Sequence, residues 1–553
     1  MFTLKNINSK KEIFFYSTLI LVTLILIYFC RDKTFITDDY ILLNFVINNP
    51  IKNFFIENYF YINYYRPISY LILYFNYFVF RFQPFGYYII NIALHLLSTL
   101  LLFKFLILIN NELKLSKIYI YVATIVFYIY PQNLTNVFWI SARPEIIVFL
   151  LVILSLITFI YFIENRKTYY LILSYLIFIL SLLVKENAVL IVFYLFLVLL
   201  IKKNYLQYQK TIRFILFYLI IIIFYILFRL FILKSEINYF AIENIFSDSH
   251  YLVKALLNQF FIFFTPFDLY DFFYFIKAKT LFTILILSLN IFLYSFFFLK
   301  VIFLKLYKEF LLIIIGFISF SFYLFIAYPI FRYLYFHTPF IILFFLLTLK
   351  KFELKKIIGI LFFVFMLIGF GNLLVFRTFT SIKNYNYLRS SIFIENKEKF
   401  SNKYIYYLMP AIKRIGHFVI HTSDLNYLSY YYINNNLEWN YNNFYSYPFL
   451  EISSIDDISN LVKYKWEDEK SFVIESVSGG LLSSFARSEN IIEDNNFYAV
   501  SLDKDPIRKD YTKAIKVTIK NYDNVNKIKV IYFEKGKFLV KPLVKFLNDL
   551  KTN

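Results

Sequence analysis

The chain has 553 residues, of which 60% are hydrophobic and 23% aromatic, and a soluble domain of that length cannot hide so much apolar surface in one core. Its formal net charge of +21 comes largely from Lys and Arg clusters between apolar runs, where basic residues act as topology signals, so we expect no nucleic-acid partner. Cys30 is the only cysteine, which excludes an intramolecular disulfide and a cysteine-rich zinc site.

The first apolar run covers 13–30 and follows Lys10 and Lys11. No small-residue cleavage site comes after it, so we interpret it as a retained span and not as a removed signal peptide. Because about twenty apolar residues cross a bilayer as a helix, the sequence predicts about eleven spans. Their limits are 13–30, 87–110, 118–131, 146–163, 169–184, 188–201, 214–233, 281–299, 310–327, 338–349 and 357–376. The shorter run 67–80 predicts an interfacial or re-entrant helix.

The basic residues between the runs predict the orientation. With the N-terminus inside, the short inside segments carry pairs such as Arg166-Lys167 and Lys350-Lys351, whereas the longer outside segments carry fewer basic residues. The sequence therefore predicts a mainly α, polytopic helical bundle over 1–376 that begins inside and ends outside.

After Phe376 the hydropathy falls, and segments with alternating apolar residues follow. They predict short strands at 417–421, 471–475, 514–519 and 527–532, with helices near 385–400 and 424–434. We therefore expect a small extracytoplasmic α/β or α+β domain over 377–553. The chain shows no internal repeat and no nucleotide-binding glycine loop.

Two adjacent carboxylates, Asp38 and Asp39, follow the first span. They could take a proton from an incoming hydroxyl, and they leave binding of a divalent metal open although nothing in the sequence demands one. The alternative is an acidic pair that caps the helix starting at Tyr40.

Three polar features lie in or beside the next predicted spans. Arg66 ends the first outside segment, and Asn91 and His95 are four residues apart, so they share one helix face. Arg143 and Glu145 lie in the second outside segment. Polar groups at membrane depth face protein or water and are often functional, and an interhelical hydrogen bond is the alternative for Asn91 and His95.

Lys185 and Glu186 interrupt an apolar run, where each would cost a few kcal/mol if it faced lipid. They therefore face a polar cavity or pin a helix hairpin as an ion pair. Arg332 stands among aromatic residues that include Tyr335, at the predicted outer surface. An arginine there can hold a phosphate with its fork of donors, or it can snorkel toward lipid headgroups. The predicted topology puts all these features on one outer face.

In order and spacing, these residues resemble the GT-C glycosyltransferases, particularly the protein O-mannosyltransferases and the bacterial aminoarabinose transferase. The resemblance runs from Phe35 to about Arg332. The motifs that carry it are Asp38-Asp39, Tyr65-Arg66-Pro67, Asn91 with His95, Trp139 to Arg143, Lys185-Glu186-Asn187 and Arg332-Tyr333-Leu334-Tyr335.

The resemblance implies a bundle that transfers a sugar from a polyprenyl-phosphate donor to an extracytoplasmic hydroxyl of protein, lipid or glycan, with inversion. Asp38 would then be the general base, with Asp39 sharing or positioning that role. The expected donor-phosphate ligands are Lys185, Arg332 and Arg66, and the expected substrate contacts are His95, Asn91, Arg143, Glu145, Glu186 and Tyr335. The expected location is the bacterial plasma membrane.

Two alternatives stay open. A transporter or flippase would also carry charges inside the membrane, but the sequence shows no matching half-repeats. An O-antigen-type ligase or polymerase uses similar donors and carries its key residues in one large late outside loop, for which 234–279 would qualify.

Overall fold

The structure is a computed structural model that describes 10–31, 33, 35, 38–56, 65–201, 208–232, 249–264, 299, 307–321 and 331–350, together with strands, turns and a last helix within 405–552. These residues form two compact units. The first comprises Met1–Arg31 and Phe45–Leu373, and the second comprises Asp32–Asn44 and Leu374–Asn553.

The described part of the first unit is helical, and one of its helices, α2, begins in the second unit. In chain order they are α1 Lys10–Cys30, α2 Asp38–Asn48, α3 Asn53–Ile56, α4 Pro67–Phe80, α5 Pro84–Leu113, α6 Lys117–Ile129, α7 Pro131–Val137, α8 Arg143–Asn165, α9 Thr168–Val184, α10 Ile191–Ile201, α11 Tyr208–Leu227, α12 Ser249–Phe264, α13 Tyr307–Ser321 and α14 Thr338–Lys350. Short 3-10 helices cover Ile140–Ala142, Glu186–Leu190 and Phe331–Phe336, and a π-helix covers Phe228–Ile232.

Within the described residues, four helical segments are long and apolar enough to cross a membrane: Lys10–Cys30, Pro84–Leu113, Ile140–Asn165 and Ile212–Phe231. The same residues contain six shorter apolar helices, including Pro67–Phe80. The count of eleven spans and the orientation stay predictions. Nearly all of the predicted span 281–299, all of 357–376 and the predicted helices near 385–400 and 424–434 lie outside the described residues.

Helix α8 lies at the centre of the first unit, where it packs against α5 and α9. Most of its side chains are buried, whereas α1 and α11 leave large apolar side chains such as Phe14 and Phe224 exposed. Exposed apolar faces of this kind suit helices surrounded by lipid, and a central helix buried on all sides suits the core of a bundle.

The second unit contains the strands that the sequence predicts near the C-terminus, so a mainly helical chain with a strand-containing C-terminal region is confirmed. The strands are β1 Ile405–Met409, β2 Ala411–Ile415, β3 Phe418–Val419, β4 Phe444–Ser446, β5 Phe449–Ile452, β6 Val462–Trp466, β7 Ser471–Ser476, β8 Leu481–Ser483, β9 Ile491–Asp494, β10 Tyr498–Lys504, β11 Tyr511–Ile519, β12 Ile528–Glu534 and β13 Lys537–Pro542.

The described strands form two sheets. The smaller has the order β13-β12-β1-β4, in which β1 runs parallel to β12 and β4, and β13 runs antiparallel to β12. In the larger, β11 pairs antiparallel with β7, β8 and β10. The last helix, α15 (Leu543–Thr552), inserts Phe546 against Tyr532 of the smaller sheet and Phe472 of the larger one. This aromatic contact therefore joins the two sheets.

Candidate functional site

The site is built around the point where α9 ends. Lys185 has an extended backbone, with φ −164° and ψ 145°, and the 3-10 helix Glu186–Leu190 starts directly after it. Because successive side chains of an extended backbone point in opposite directions, Lys185 and Glu186 reach different partners. The ion pair between Lys185 and Glu186 that could have pinned a helix hairpin is therefore not formed.

Lys185 forms a buried ion pair with Glu145, which lies in the first turn of α8. The Asn187 amide also donates to the Glu145 carboxylate. The side chains of Lys185 and Glu145 are 7% and 1% exposed, so this pair is nearly dry. A carboxylate in the first turn of α8 also lies favourably against the helix dipole.

Glu186 instead pairs with Arg66, just before α4. Arg66 donates through Nη2 at 2.6 Å to one carboxylate oxygen and through Nε at 3.3 Å to the other. The Ser69 hydroxyl donates to the Val184 carbonyl at 2.9 Å, which ties the start of α4 to the end of α9. Glu186 is thus held in a two-pronged contact that suits guanidinium and carboxylate groups.

Arg229 is a second guanidinium beside the same carboxylate, with Nη1 4.0 Å from Glu186 Oε2. Burial by itself would raise the pKa of Glu186, but the charges of Arg66, Lys185 and Arg229 outweigh burial and hold that pKa below its ordinary value. Glu186 is therefore ionised near neutral pH. We call Arg66, Glu145, Lys185, Glu186 and Arg229 the charged cluster.

Arg229 is a member of the cluster that the sequence pattern did not indicate. It lies within the predicted span 214–233, where one cation among apolar residues is itself a signal because charge facing lipid is costly. In the structure it belongs to the π-helix Phe228–Ile232, whose Phe228 ring lies 5.8 Å from the ring of Tyr65. Single π-helical turns often mark functional sites, and this one brings α11 to the segment that carries Arg66.

The segment Phe331–Phe336 also reaches the charged cluster. The Lys185 ammonium lies 5.0 Å from the centre of the Tyr333 ring, within range of a cation–π interaction. Arg332 precedes Tyr333 in the chain and is described for its backbone only. The structure therefore brings the segment of Arg332 to Lys185, and the predicted role of the Arg332 side chain stays a prediction.

Arg143 points away from this cluster. It is the first residue of α8, two positions before Glu145, so the two side chains leave nearly opposite sides of the helix. Its Nε donates at 2.5 Å to Asn91, and its Nη2 donates at 3.0 Å to the Tyr87 carbonyl. With its amide oxygen turned toward the guanidinium, Asn76 accepts from Arg143 as well. These buried contacts join α4, α5 and α8.

His95 and Tyr335 meet away from solvent. Both are 0% exposed, and His95 Nδ1 lies 2.6 Å from the Tyr335 hydroxyl. His95 Nε2 lies 3.0 Å from the Tyr128 carbonyl, which can only accept, so Nε2 carries the proton and Nδ1 accepts from Tyr335. In this structure Asn91 and His95 therefore make contacts between helices, which was the alternative to direct substrate binding.

Asp38 and Asp39 begin α2 and belong to the second unit, whereas the charged cluster belongs to the first. Asp39 is 1% exposed, and Asp38 is described for its backbone only. The catalytic role predicted for the acidic pair stays a prediction. Among the described residues, no group of three or more His, Cys, Asp and Glu side chains could hold a metal ion.

The charged cluster contains three cations and two carboxylates, so it carries one excess positive charge when all five groups are ionised. Its two carboxylates differ in access, because Arg66, Glu186 and Arg229 keep 14%, 17% and 19% of their side-chain surface exposed, whereas Glu145 keeps 1%. This more accessible part could receive an anion, since two guanidiniums offer fixed forks of donors.

No protein-family model matches the chain, and no curated protein matches it in sequence.

Proposed function

We propose that this chain is a membrane glycosyltransferase that moves a sugar from a polyprenyl-phosphate donor to an extracytoplasmic hydroxyl with inversion. One observation carries the proposal. Arg66 and Lys185, which the resemblance to GT-C glycosyltransferases implies as phosphate ligands, lie in one charged cluster with Arg229, although they come from segments more than forty residues apart in the chain.

The chemistry needs few groups. A polyprenyl phosphate is a leaving group already present in the membrane, and fixed cations stabilise the charge that develops on the phosphate as the sugar leaves. The excess positive charge and the partly exposed guanidiniums of the cluster suit that task. The chain is also apolar enough to meet a lipid-bound donor, since the part of it that the structure describes already contains four helices of spanning length.

In this proposal Asp38 removes the proton of the acceptor hydroxyl as general base, with Asp39 beside it in sequence. A single in-line displacement then inverts the anomeric centre. The acceptor oxygen bonds to the anomeric carbon, the bond to the phosphate oxygen breaks, and polyprenyl phosphate leaves.

The test is transfer by the purified full chain from a labelled polyprenyl-phosphate sugar. Asp38→Asn should lose transfer at least 100-fold while abundance and melting temperature stay unchanged, because general-base catalysis contributes about 10²–10⁴-fold. Asp468→Asn, which changes an exposed carboxylate of the second unit, is the control and should keep full activity. Full transfer by the Asp38→Asn variant would remove the proposed base.

Mass spectrometry of envelope glycans from cells with and without the gene would identify the sugar and its acceptor. If the glycans stay identical while the distribution of a lipid across the membrane changes, the chain is a transporter or flippase instead.

A further inference from the structure

The carboxylate of Glu186 occupies the position that an anionic ligand of this cluster would need. It lies within hydrogen-bonding distance of Arg66 and 4.0 Å from Arg229, so each guanidinium already faces a negative group of the chain itself. We propose that Glu186 is a tethered competitor, which a lipid phosphate displaces from Arg66 and Arg229 when it binds. This inference rests on the proposed function.

Glu186 is more exposed than Glu145, the other carboxylate of the charged cluster. Glu145 is held by Lys185 and Asn187 with its side chain 1% exposed, and removing either partner would strand a buried charge. Glu186 keeps 17% of its side-chain surface exposed and pairs with a guanidinium that is 14% exposed. The Arg66–Glu186 pair is therefore more open to an incoming ligand than the Lys185–Glu145 pair.

The local backbone suits such an exchange. Glu186 is the first residue of a short 3-10 helix and follows an extended residue, so a rotamer change can withdraw its carboxylate without unwinding α9. Arg229 stands in a π-helical turn and Arg66 immediately before α4, so the backbone of each arginine is held in or next to a helix.

The return of Glu186 to the arginines would help the product to leave and so would speed turnover. The donor is a phosphodiester with one negative charge, whereas the product is a phosphomonoester with up to two, so a purely cationic site would hold the product more tightly than the donor. A tethered carboxylate weakens both complexes and competes for the arginines when the product leaves. We expect the wild type to bind the product weakly and to release it quickly.

The test measures binding of farnesyl phosphate, a short product analogue, to the purified full chain in detergent. Glu186→Gln should tighten binding about tenfold, and Glu186→Asp should tighten it by a smaller factor because the shorter side chain keeps its charge but reaches Arg66 less well. The matched control is Glu112→Gln, which removes the same charge near the C-terminal end of α5. Its affinity for farnesyl phosphate should not change.

Melting temperatures without ligand establish that each variant is folded, and Glu186→Asp keeps the test decisive if Glu186→Gln does not fold. Weaker or unchanged binding in the folded Glu186 variants would overturn the inference while leaving the proposed function in place. An equal gain in Glu112→Gln would also overturn it, because the effect would then come from net charge alone. Absence of binding in the wild type and all variants would count against the phosphate-binding function itself.

Discussion

The two acidic residues of the charged cluster have different tasks that follow from their surroundings. Glu145 neutralises Lys185 where both side chains are almost fully buried, whereas Glu186 meets Arg66 where both side chains are partly exposed. Buried ion pairs contribute little net stability against an apolar pair of similar volume, yet breaking one is costly because it strands the other charge. Stability and function can therefore be separated at Lys185.

We expect Glu145→Met and Lys185→Met each to lower the free energy of unfolding by about 3–5 kcal/mol, because each leaves an uncompensated buried charge. The double variant should recover most of that loss. Thermal unfolding in detergent measures both effects. If the double variant is as unstable as the sum of the two single variants, the pair is not coupled as the structure shows.

The same double variant tests whether the pair does more than pin the two helices. If Lys185 and Glu145 only pin α9 to α8, sugar transfer should be normal once stability is restored. If either residue also contacts the lipid donor, the double variant should be stable with weak transfer, measured as a raised KM for the lipid donor.

Long-range pairing explains why the sequence identified residues of the cluster but not its arrangement. Lys185 and Glu186 are conspicuous because they interrupt an apolar run, but their partners lie 40 and 120 residues away. Hydropathy carries no information about which distant partner a charge finds. Arg229 was missed for a related reason. A membrane span is recognised by the average hydropathy of its residues, and a single charged residue hardly changes that average.

At the scale of elements, Gly316 sets the distance between α13 and α14. A Cβ atom at Gly316 would lie 2.8 Å from the Cβ of Phe340, closer than two such atoms approach in proteins. Small residues let helices in membranes pack closely in this way. Helix α14 directly follows the segment with Tyr333, so this packing helps to position the residues beside Lys185.

Gly316→Ala should therefore destabilise the protein, although alanine inside a helix normally gains about 1 kcal/mol over glycine. The clash involves a Cβ atom that cannot rotate away, so the helices must shift. The matched control is Ile318→Ala on the same helix, whose side chain is 53% exposed and should matter little. A melting temperature that rises in Gly316→Ala would contradict the close packing of these helices.

The positions of strands could be predicted from the sequence, but the way the strands pair could not. The alternation of apolar residues at 471–475 and 514–519 predicts strands, and the structure has β7 and β11 at these positions. The pairing of β1 with β12 could not be predicted, since more than a hundred residues separate these parallel strands. The grouping of Asp32–Asn44 with the C-terminal unit is likewise a tertiary property that hydropathy does not encode.

The orientation of the chain decides on which side of the membrane the charged cluster acts. In a chain with Cys30 replaced by serine, Gln83→Cys should react with an impermeant thiol reagent in intact cells. Gln83 is exposed between α4 and α5, in a segment that the basic residues place outside. Lys167→Cys, exposed between α8 and α9, should react only after the membrane is permeabilised. If Lys167→Cys reacted in intact cells and Gln83→Cys only after permeabilisation, the topology would be the reverse of the predicted one. The acceptor would then have to be a cytoplasmic molecule.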